Sequence, residues 1–307
     1  MRVIITGGSG LIGRALSENL TKSGHEVIIL SRQPAAVPAL PGGVRVLSWD
    51  ASTAAGWATQ ADGADAIINL AGESLKGRRF LPSRWTARRK QLIRQSRQDA
   101  GAAVVQAVRE AKRKPKVVVQ VSAVGYYGPR GTQTVDERAA AGEDFLASVC
   151  TAWEASTAGV EALGVRQVVA RMGIPLTMQG GAFPLLVLPF RFFGGNTFGS
   201  GQQVYPWIHF EDAIAALLFL VENPKASGPY NLSAPNPVSN REFARTLGRT
   251  LRRPVWIPVP RFALQLALGE VSTVVMDGQR AVPARLLEAG FAFRYPDLQP
   301  ALQDLLL

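Results

Sequence analysis

Thiol and imidazole chemistry is almost absent from this 307-residue chain, which has one cysteine, Cys150, and two histidines, His25 and His209. A single thiol excludes an intramolecular disulfide and fits a reducing compartment, so a cytoplasmic protein is expected. With so few soft ligands, no metal site is expected. No uncharged apolar run reaches the roughly 18 residues of a membrane-spanning helix, and no membrane partner is expected. The apolar first residues imitate a short signal peptide. They lack a small-residue cleavage site after a long apolar core and read better as a strand entering a glycine turn. Repeats and low-complexity tracts are missing. Acidic residues are outnumbered, 23 against 34 Lys and Arg, for a net charge of +11. That excess fits an arginine-rich solvated surface or attraction of anions such as phosphates. The basic residues cluster at 76–97 and 109–116 without interleaved aromatics. No helix-turn-helix, RNP or zinc-finger pattern accompanies them, so no specific nucleic acid is expected.

What is present is enough for a sizeable core, 47% hydrophobic residues over a length that permits a main domain and a smaller one. Apolar, strand-like runs at 2–6, 26–31, 45–48, 66–70, 117–121 and 167–172 alternate with helix-like segments at 10–23, 84–112 and 143–163. Near-continuous apolar strands separated by helices predict an α/β fold, a doubly wound parallel sheet covered on both faces. After Gly173 the pattern loosens into glycine- and proline-rich loops, with further helices expected at 211–223 and 239–251. Ser239 and Glu242 form a capping-box pair for the last of these. The expected division is therefore residues 1–173, completed by parts of 205–232, and a smaller mixed substrate lobe over most of 174–307. A ligand cleft is expected between them, at the carboxyl ends of the strands.

The segment Thr6-Gly7-Gly8-Ser9-Gly10-Leu11-Ile12-Gly13 follows the first strand and opens the first helix. Gly7 permits the tight turn, Gly10 lets the backbone approach a pyrophosphate, and Gly13 permits close helix–strand packing. The helix N-terminus, with Leu11 and Ile12, then offers amides and a favourable dipole to phosphates. This is a Rossmann-type dinucleotide signature. An acidic residue ending the second strand would bind ribose hydroxyls, but Ser31-Arg32 stands there instead. A hydroxyl and a guanidinium suit a 2′-phosphate, so NADP(H) is the expected cofactor; the alternative for Arg32 is a solvated surface arginine. Trp49 and Asp50 are placed to flank the adenine. Leu70-Ala71-Gly72-Glu73, ending the fourth strand, is placed beneath the cofactor ribose.

In this order these segments resemble the extended short-chain dehydrogenase/reductase superfamily. More narrowly, the chain resembles an atypical branch of nucleoside-diphosphate-sugar epimerase-like proteins, some historically labelled cell-division inhibitors, which end in a small domain of unassigned function. The narrower likeness rests on Asn69-Leu70-Ala71-Gly72-Glu73, Arg84-Trp85-Thr86 with Lys90 and Ser96-Arg97, and Ser122-Ala123-Val124-Gly125-Tyr126-Tyr127-Gly128. It continues through Trp153-Glu154, Trp207-Ile208-His209-Phe210-Glu211-Asp212, Gly269-Glu270, Gly278-Gln279-Arg280 and Gly290-Phe291.

The resemblance implies a substrate lobe and a Tyr-x-x-x-Lys pair on a helix, one turn apart on the same face. The lysine lowers the phenol's pKa, and the phenol exchanges a proton with the substrate. This chain departs from that pattern. If Glu154 matches the acidic residue one turn after the lysine, Leu146 and Cys150 fill the two places, and no Tyr-x-x-x-Lys occurs anywhere. Ser122 and Tyr126 are the expected catalytic candidates in its absence, Glu73 and Lys90 being further polar candidates. Ser122 and Lys90 are also expected to touch the cofactor, and Tyr127 and Trp207 to line the substrate cleft. His209 reads as a structural hydrogen-bonder and Cys150 as a small buried residue. The implied activity is an NADP(H)-dependent oxidoreductase or epimerase acting on a small polar substrate such as a nucleotide-sugar, as a monomer or homodimer. Alternatives are an NADPH-binding sensor without turnover and a basic scaffold.

Overall fold

The computed structural model describes all residues except 39, 41, 78–83 and 257. Seven strands form one parallel sheet: β1 (Arg2–Thr6), β2 (Glu26–Ser31), β3 (Val44–Ser48), β4 (Ala66–Asn69), β5 (Val117–Ala123), β6 (Arg166–Met172) and β7 (Gly228–Leu232). Their spatial order is β7-β6-β5-β4-β1-β2-β3. The chain starts in the middle, winds to one edge and then fills the other. The strand order therefore reverses between β1 and β4, and ligands bind outside the carboxyl ends at such a point.

The alternation of the strands divides the core. Ile5, Ile29, Ile68, Val119 and Val168 pack with Leu16 and Leu20 of helix α1 (Leu11–Lys22). Ile214, Leu217 and Leu220, from a helix that enters far later in the chain, complete that layer. Ile4, Ile28, Ile67 and Val118 face the other way, onto Ala100, Ala103, Val104 and Ala107 of helix α2 (Ala87–Glu110). Each fully buried Ile or Val here contributes about 1.5–3 kcal/mol.

The long segment expected as one helix over 143–163 is divided. Helix α3 spans Phe145–Ala155, capped by Asp144, whose carboxylate accepts from the Ala147 amide at 2.8 Å. It stops because Ser156 Oγ donates back to the Trp153 carbonyl (2.6 Å) and the Thr157 hydroxyl accepts from Gln167 (2.7 Å). Such side chains compete with the helical ladder, and a 3-10 turn, Ala158–Leu163, follows.

Past the sheet's sixth strand the chain forms α4 (Phe183–Arg191), α5 (Phe210–Glu222), α6 (Asn240–Leu251), α7 (Arg261–Leu268) and α8 (Leu298–Leu306). Helix α5 is the late contributor to the sheet core named above. Ser239 accepts from the Glu242 amide at 3.2 Å and starts α6, as the capping pair predicts. Phe183, Phe190, Tyr205, Phe243, Leu247 and Leu302 build a separate core. Trp207 belongs to it. This corrects the expectation that Trp207 lines the cleft: its ring is fully buried there, with Nε1 donating to the Asn236 carbonyl at 3.2 Å. Among the described residues no helix is long and apolar enough to cross a membrane, and no group of three His, Cys, Asp or Glu is arranged to hold a metal ion.

Candidate functional site

The glycine turn sits at the point where the strand order reverses. Thr6 fixes it: its hydroxyl donates to Asn69 Oδ1 (2.5 Å) and accepts from the amides of Leu70 (3.2 Å) and Ala71 (3.3 Å). Gly7 has φ of +65°, and a side chain there would meet the Ala71 amide nitrogen at 3.1 Å. A Cβ on Gly13 would stand 2.5 Å from the Cα of Gly8, so backbone lies directly on backbone where α1 leaves the sheet. No side chain caps α1 at Gly10, which leaves the first helical amides for an anion.

A cavity of about 290 Å³ opens over this turn. Gly7, Ser9 and Gly10 form one wall; Ser31, Arg32 and Trp49 form another; Leu70, Ala71, Gly72 and Glu73 form its third side. The side chains of Leu11 and Ile12 pack against the sheet core, and it is their amides that stand at the uncapped start of α1. Trp49 is held by Nε1 donating to the Thr53 carbonyl (2.6 Å) and by edge contact with Trp57. Asp50 is corrected from an adenine contact to a turn-former. It accepts from the amides of Ser52 and Thr53, both at 2.8 Å, and these bonds hold its carboxyl down at about 2. Glu73 is paired with Arg89 at 3.0 Å and lies 4.0 Å from Arg32. Lys90 is likewise corrected. Its ammonium is tied to Glu270 at 2.6 Å and rests over the Phe145 ring, outside the lining of the cavity.

Beside this cavity is a recess of about 270 Å³ lined by Ser9, Ser31, Arg32 and Gln33, with no carboxylate in its wall. Ser31 Oγ is oriented by accepting from the Gln33 amide at 3.2 Å. The Arg32 guanidinium is 63% exposed and so reaches solvent and any anion in the recess.

A second cleft, of about 270 Å³, continues past the ends of β5 and β6. Its walls are mainly apolar, including Val124, Leu146, Val149, Trp153, Met172 and Ile174. Cys150 lies on the wall with Leu146, one turn away on α3. The places of the usual tyrosine and lysine therefore do face a cleft, filled by groups that cannot exchange a proton at neutral pH. Burial pushes the Cys150 thiol up to about 11.

Neither catalytic candidate lines that cleft. Ser122 is 2% exposed, and its hydroxyl donates to Glu154 Oε1 at 2.8 Å. Glu154 is clamped by Arg171, Nε at 3.0 Å and one Nη at 2.9 Å. The same guanidinium stacks 3.5 Å from the Tyr126 ring centre and donates to the Tyr127 hydroxyl at 3.0 Å. Tyr127 donates onward to Asn231 Oδ1 at 2.7 Å. Tyr127 is fully buried, and burial pushes its phenol up to about 12, which corrects its expected place in the cleft. Tyr126 is held between Arg171 and Tyr127 as packing. His209 caps α5, Nδ1 accepting from the Glu211 amide at 3.2 Å, as the structural reading of it expects.

Sequence reasoning noted Arg97 and Gln279 only as part of the resemblance and gave no role to Arg97 or to the C-terminal wall. Arg97 lines the second cleft, stacks 4.5 Å over Trp153 and donates to the carbonyls of Glu73 (3.0 Å) and Ile93 (2.9 Å). Its Nε is buried without a partner among the described residues, and burial draws its pKa down to about 10, so it stays charged at neutral pH. Thr273, Asp277 and Gln279 add polar groups from the other side of the cleft. Asp277 is paired with Arg261 at 3.1 Å.

A parallel sheet wound in this order, with an uncapped glycine turn where it reverses, defines a Rossmann-type fold of the extended short-chain dehydrogenase/reductase kind. The chain belongs to the NAD dependent epimerase/dehydratase family, which residues 3–173 match; residues 259–305 match a domain of unknown function, DUF1731. It is 41% identical over its whole length to the epimerase family protein YfhF of Bacillus subtilis, covering 98% of that protein. It is 36% identical to the chloroplastic SDR39U1 homolog of Arabidopsis thaliana, covering all of this chain and 87% of that one. The crystal structure of human epimerase family protein SDR39U1 with NADPH superposes with a TM-score of 0.87, at 34% identity and 99% coverage of both chains.

Proposed function

We propose that this protein binds NADP(H) and acts as an oxidoreductase or epimerase-like enzyme on a small substrate, without the usual tyrosine–lysine pair. The observation that carries the cofactor reading is the recess of Ser9, Ser31, Arg32 and Gln33 at the end of β2, with no acidic side chain in its wall. The human relative, described with NADPH, supports the same choice. The uncapped amides of α1 would bind the pyrophosphate, and Ser31 with Arg32 would take the 2′-phosphate.

The bound nicotinamide would supply hydride transfer. In the cleft Leu146, Val149 and Trp153 would exclude water around it, and Arg97 keeps a positive charge there that would orient a negative or polarised oxygen. Thr273 and Asp277, from the segment matching the domain of unknown function, offer polar contacts to a substrate. A second reading, an NADPH-binding sensor without turnover, is favoured by one observation: the hydroxyl of Ser122 is already committed to Glu154.

The test is thermal. NADPH should raise the melting temperature more than NADH does, and Arg32→Ala should erase the difference. Equal shifts with the native protein would refute the 2′-phosphate assignment. Consumption of NADPH absorbance over a panel of carbonyls separates a reductase from the sensor, and product analysis of nucleotide-sugars separates an epimerase from it, since epimerisation leaves the cofactor unchanged overall; the sensor converts none of them.

A further inference from the structure

A groove of about 850 Å³ lies on the second lobe, and none of its walls belongs to the cofactor cavity or the cleft. Arg241, Arg245 and Arg249 stand at successive four-residue steps of α6, which places them in one row along the helix. Arg252 and Arg253 close its end. Against these five arginines the lining holds one carboxylate, Glu242, and among the described residues none of the five is in an ion pair.

Two backbone features build the groove. Arg252 occupies the left-handed position that ends α6, with φ of +54°. Glycine is the usual residue there, and the chain keeps an arginine instead. Gly248 lets the returning segment lie across the last helical turn, since a Cβ on it would meet the Arg253 carbonyl oxygen at 2.8 Å. The Arg253 amide donates to the Gly248 carbonyl at 2.8 Å and locks that return.

Aromatic surface adjoins the same end. The Arg253 guanidinium rests 4.2 Å from the Phe193 ring centre, and the Trp256 indole donates to the Phe193 carbonyl. Phe192, Phe193 and Trp256 are 77%, 56% and 62% exposed. A row of guanidiniums that has no carboxylate partner among the described residues, Arg241 and Arg249 donating only to the Ser200 carbonyl and the Thr246 hydroxyl, and that runs into exposed aromatic faces is the combination that tracks a phosphate backbone and stacks bases. A flat membrane surface would not enter the groove.

We propose that this groove binds single-stranded nucleic acid without sequence preference. The phosphates lie along Arg241, Arg245, Arg249, Arg252 and Arg253, and a base stacks on Trp256 or Phe192. The site is separate from the dinucleotide turn, so NADPH does not compete for it.

Fluorescence anisotropy of the full chain, saturated with NADPH, tests this with a labelled oligothymidylate of about 12 nucleotides. Five phosphate contacts give a slope of about −3.5 in log affinity against log salt, a loss of roughly 100-fold between 50 and 200 mM. The Arg245→Ala/Arg249→Ala double variant should lower that slope by about 1.4. Trp256→Ala should weaken binding about tenfold and leave the slope unchanged. An unaltered NADPH-induced melting shift shows that each variant is folded. Absent binding at low salt, or binding indifferent to these substitutions, overturns the proposal. So does a preference for phosphatidylserine-containing vesicles over the oligonucleotide with the same arginine dependence.

Discussion

Replacing Arg171 with methionine isolates the buried polar network behind the cleft. The guanidinium and its partner Glu154 have side-chain exposures of 5% and 13%. The substitution removes two bonds to Glu154, one to the Tyr127 hydroxyl and the stacking on Tyr126. It leaves the Glu154 carboxylate with only the Ser122 hydroxyl as a described side-chain donor, at 2.8 Å. Removing one partner of a buried pair costs about 3–5 kcal/mol, because the remaining charge stays uncompensated. Adding Glu154→Gln removes that charge, so the double variant should regain about 1–3 kcal/mol over Arg171→Met alone. Urea titrations of native, single and double variants read both quantities. A loss below about 1 kcal/mol for Arg171→Met, or additive single effects, would refute the view that this pair is buried and mutually dependent.

Two further predictions concern the glycine turn and the helix cap. Gly13→Ala should lower stability and shrink the NADPH-induced melting shift, although alanine is favoured in helices by about 1 kcal/mol, because its Cβ would stand 2.5 Å from the Gly8 backbone. A variant at least as stable as the native chain, with a full shift, would show that α1 can move off the sheet. Burial lowers the pKa of His209 despite the nearby Asp304, Glu211 and Asp212. The unfolded chain therefore binds the proton first, and this contribution to stability is present above about pH 6.5 and lost as pH falls. His209→Asn, which can still cap α5, should flatten that acid limb in pH-dependent thermal unfolding; an unchanged limb would assign it to other groups.

The parallel sheet was readable because its information is local. Runs such as Val3-Ile4-Ile5 are apolar on both faces, and Gly7, Gly10 and Gly13 follow at fixed spacing. Residues at strand ends were not readable in the same way. Whether Trp207 or Tyr127 turns to the cleft or the core depends on α4, α6 and Asn231, which are distant in sequence. Asp50 and Lys90 misled for a related reason: an acid near an adenine or a lysine near a cleft can be claimed by a neighbour, here Thr53 and Glu270. A signal for Arg97 did exist. It falls in the stripe Ile93, Arg97, Ala100, Val104 and Ala107, spaced four, three, four and three, and an arginine on the buried face of a helix implies a task for its charge.

That charge explains why the loss of the tyrosine–lysine pair is a rearrangement of the cleft rather than a hole in it. A lysine at 150 would place an ammonium at a site only 4% exposed, within electrostatic reach of Arg97. Glu154, the carboxylate that would compensate it, is already taken by Arg171. With Arg97 supplying the cation from α2, position 150 has to be neutral and small, and cysteine satisfies both needs. Leu146 then follows, since a phenol without a lysine beneath it has nothing to acidify it. The cleft keeps one fixed positive charge and apolar walls. Such a site can hold and polarise an oxygen, but any proton exchanged there has to pass to or from the substrate, water, or one of the two carboxylates on the cleft wall, Asp144 and Asp277.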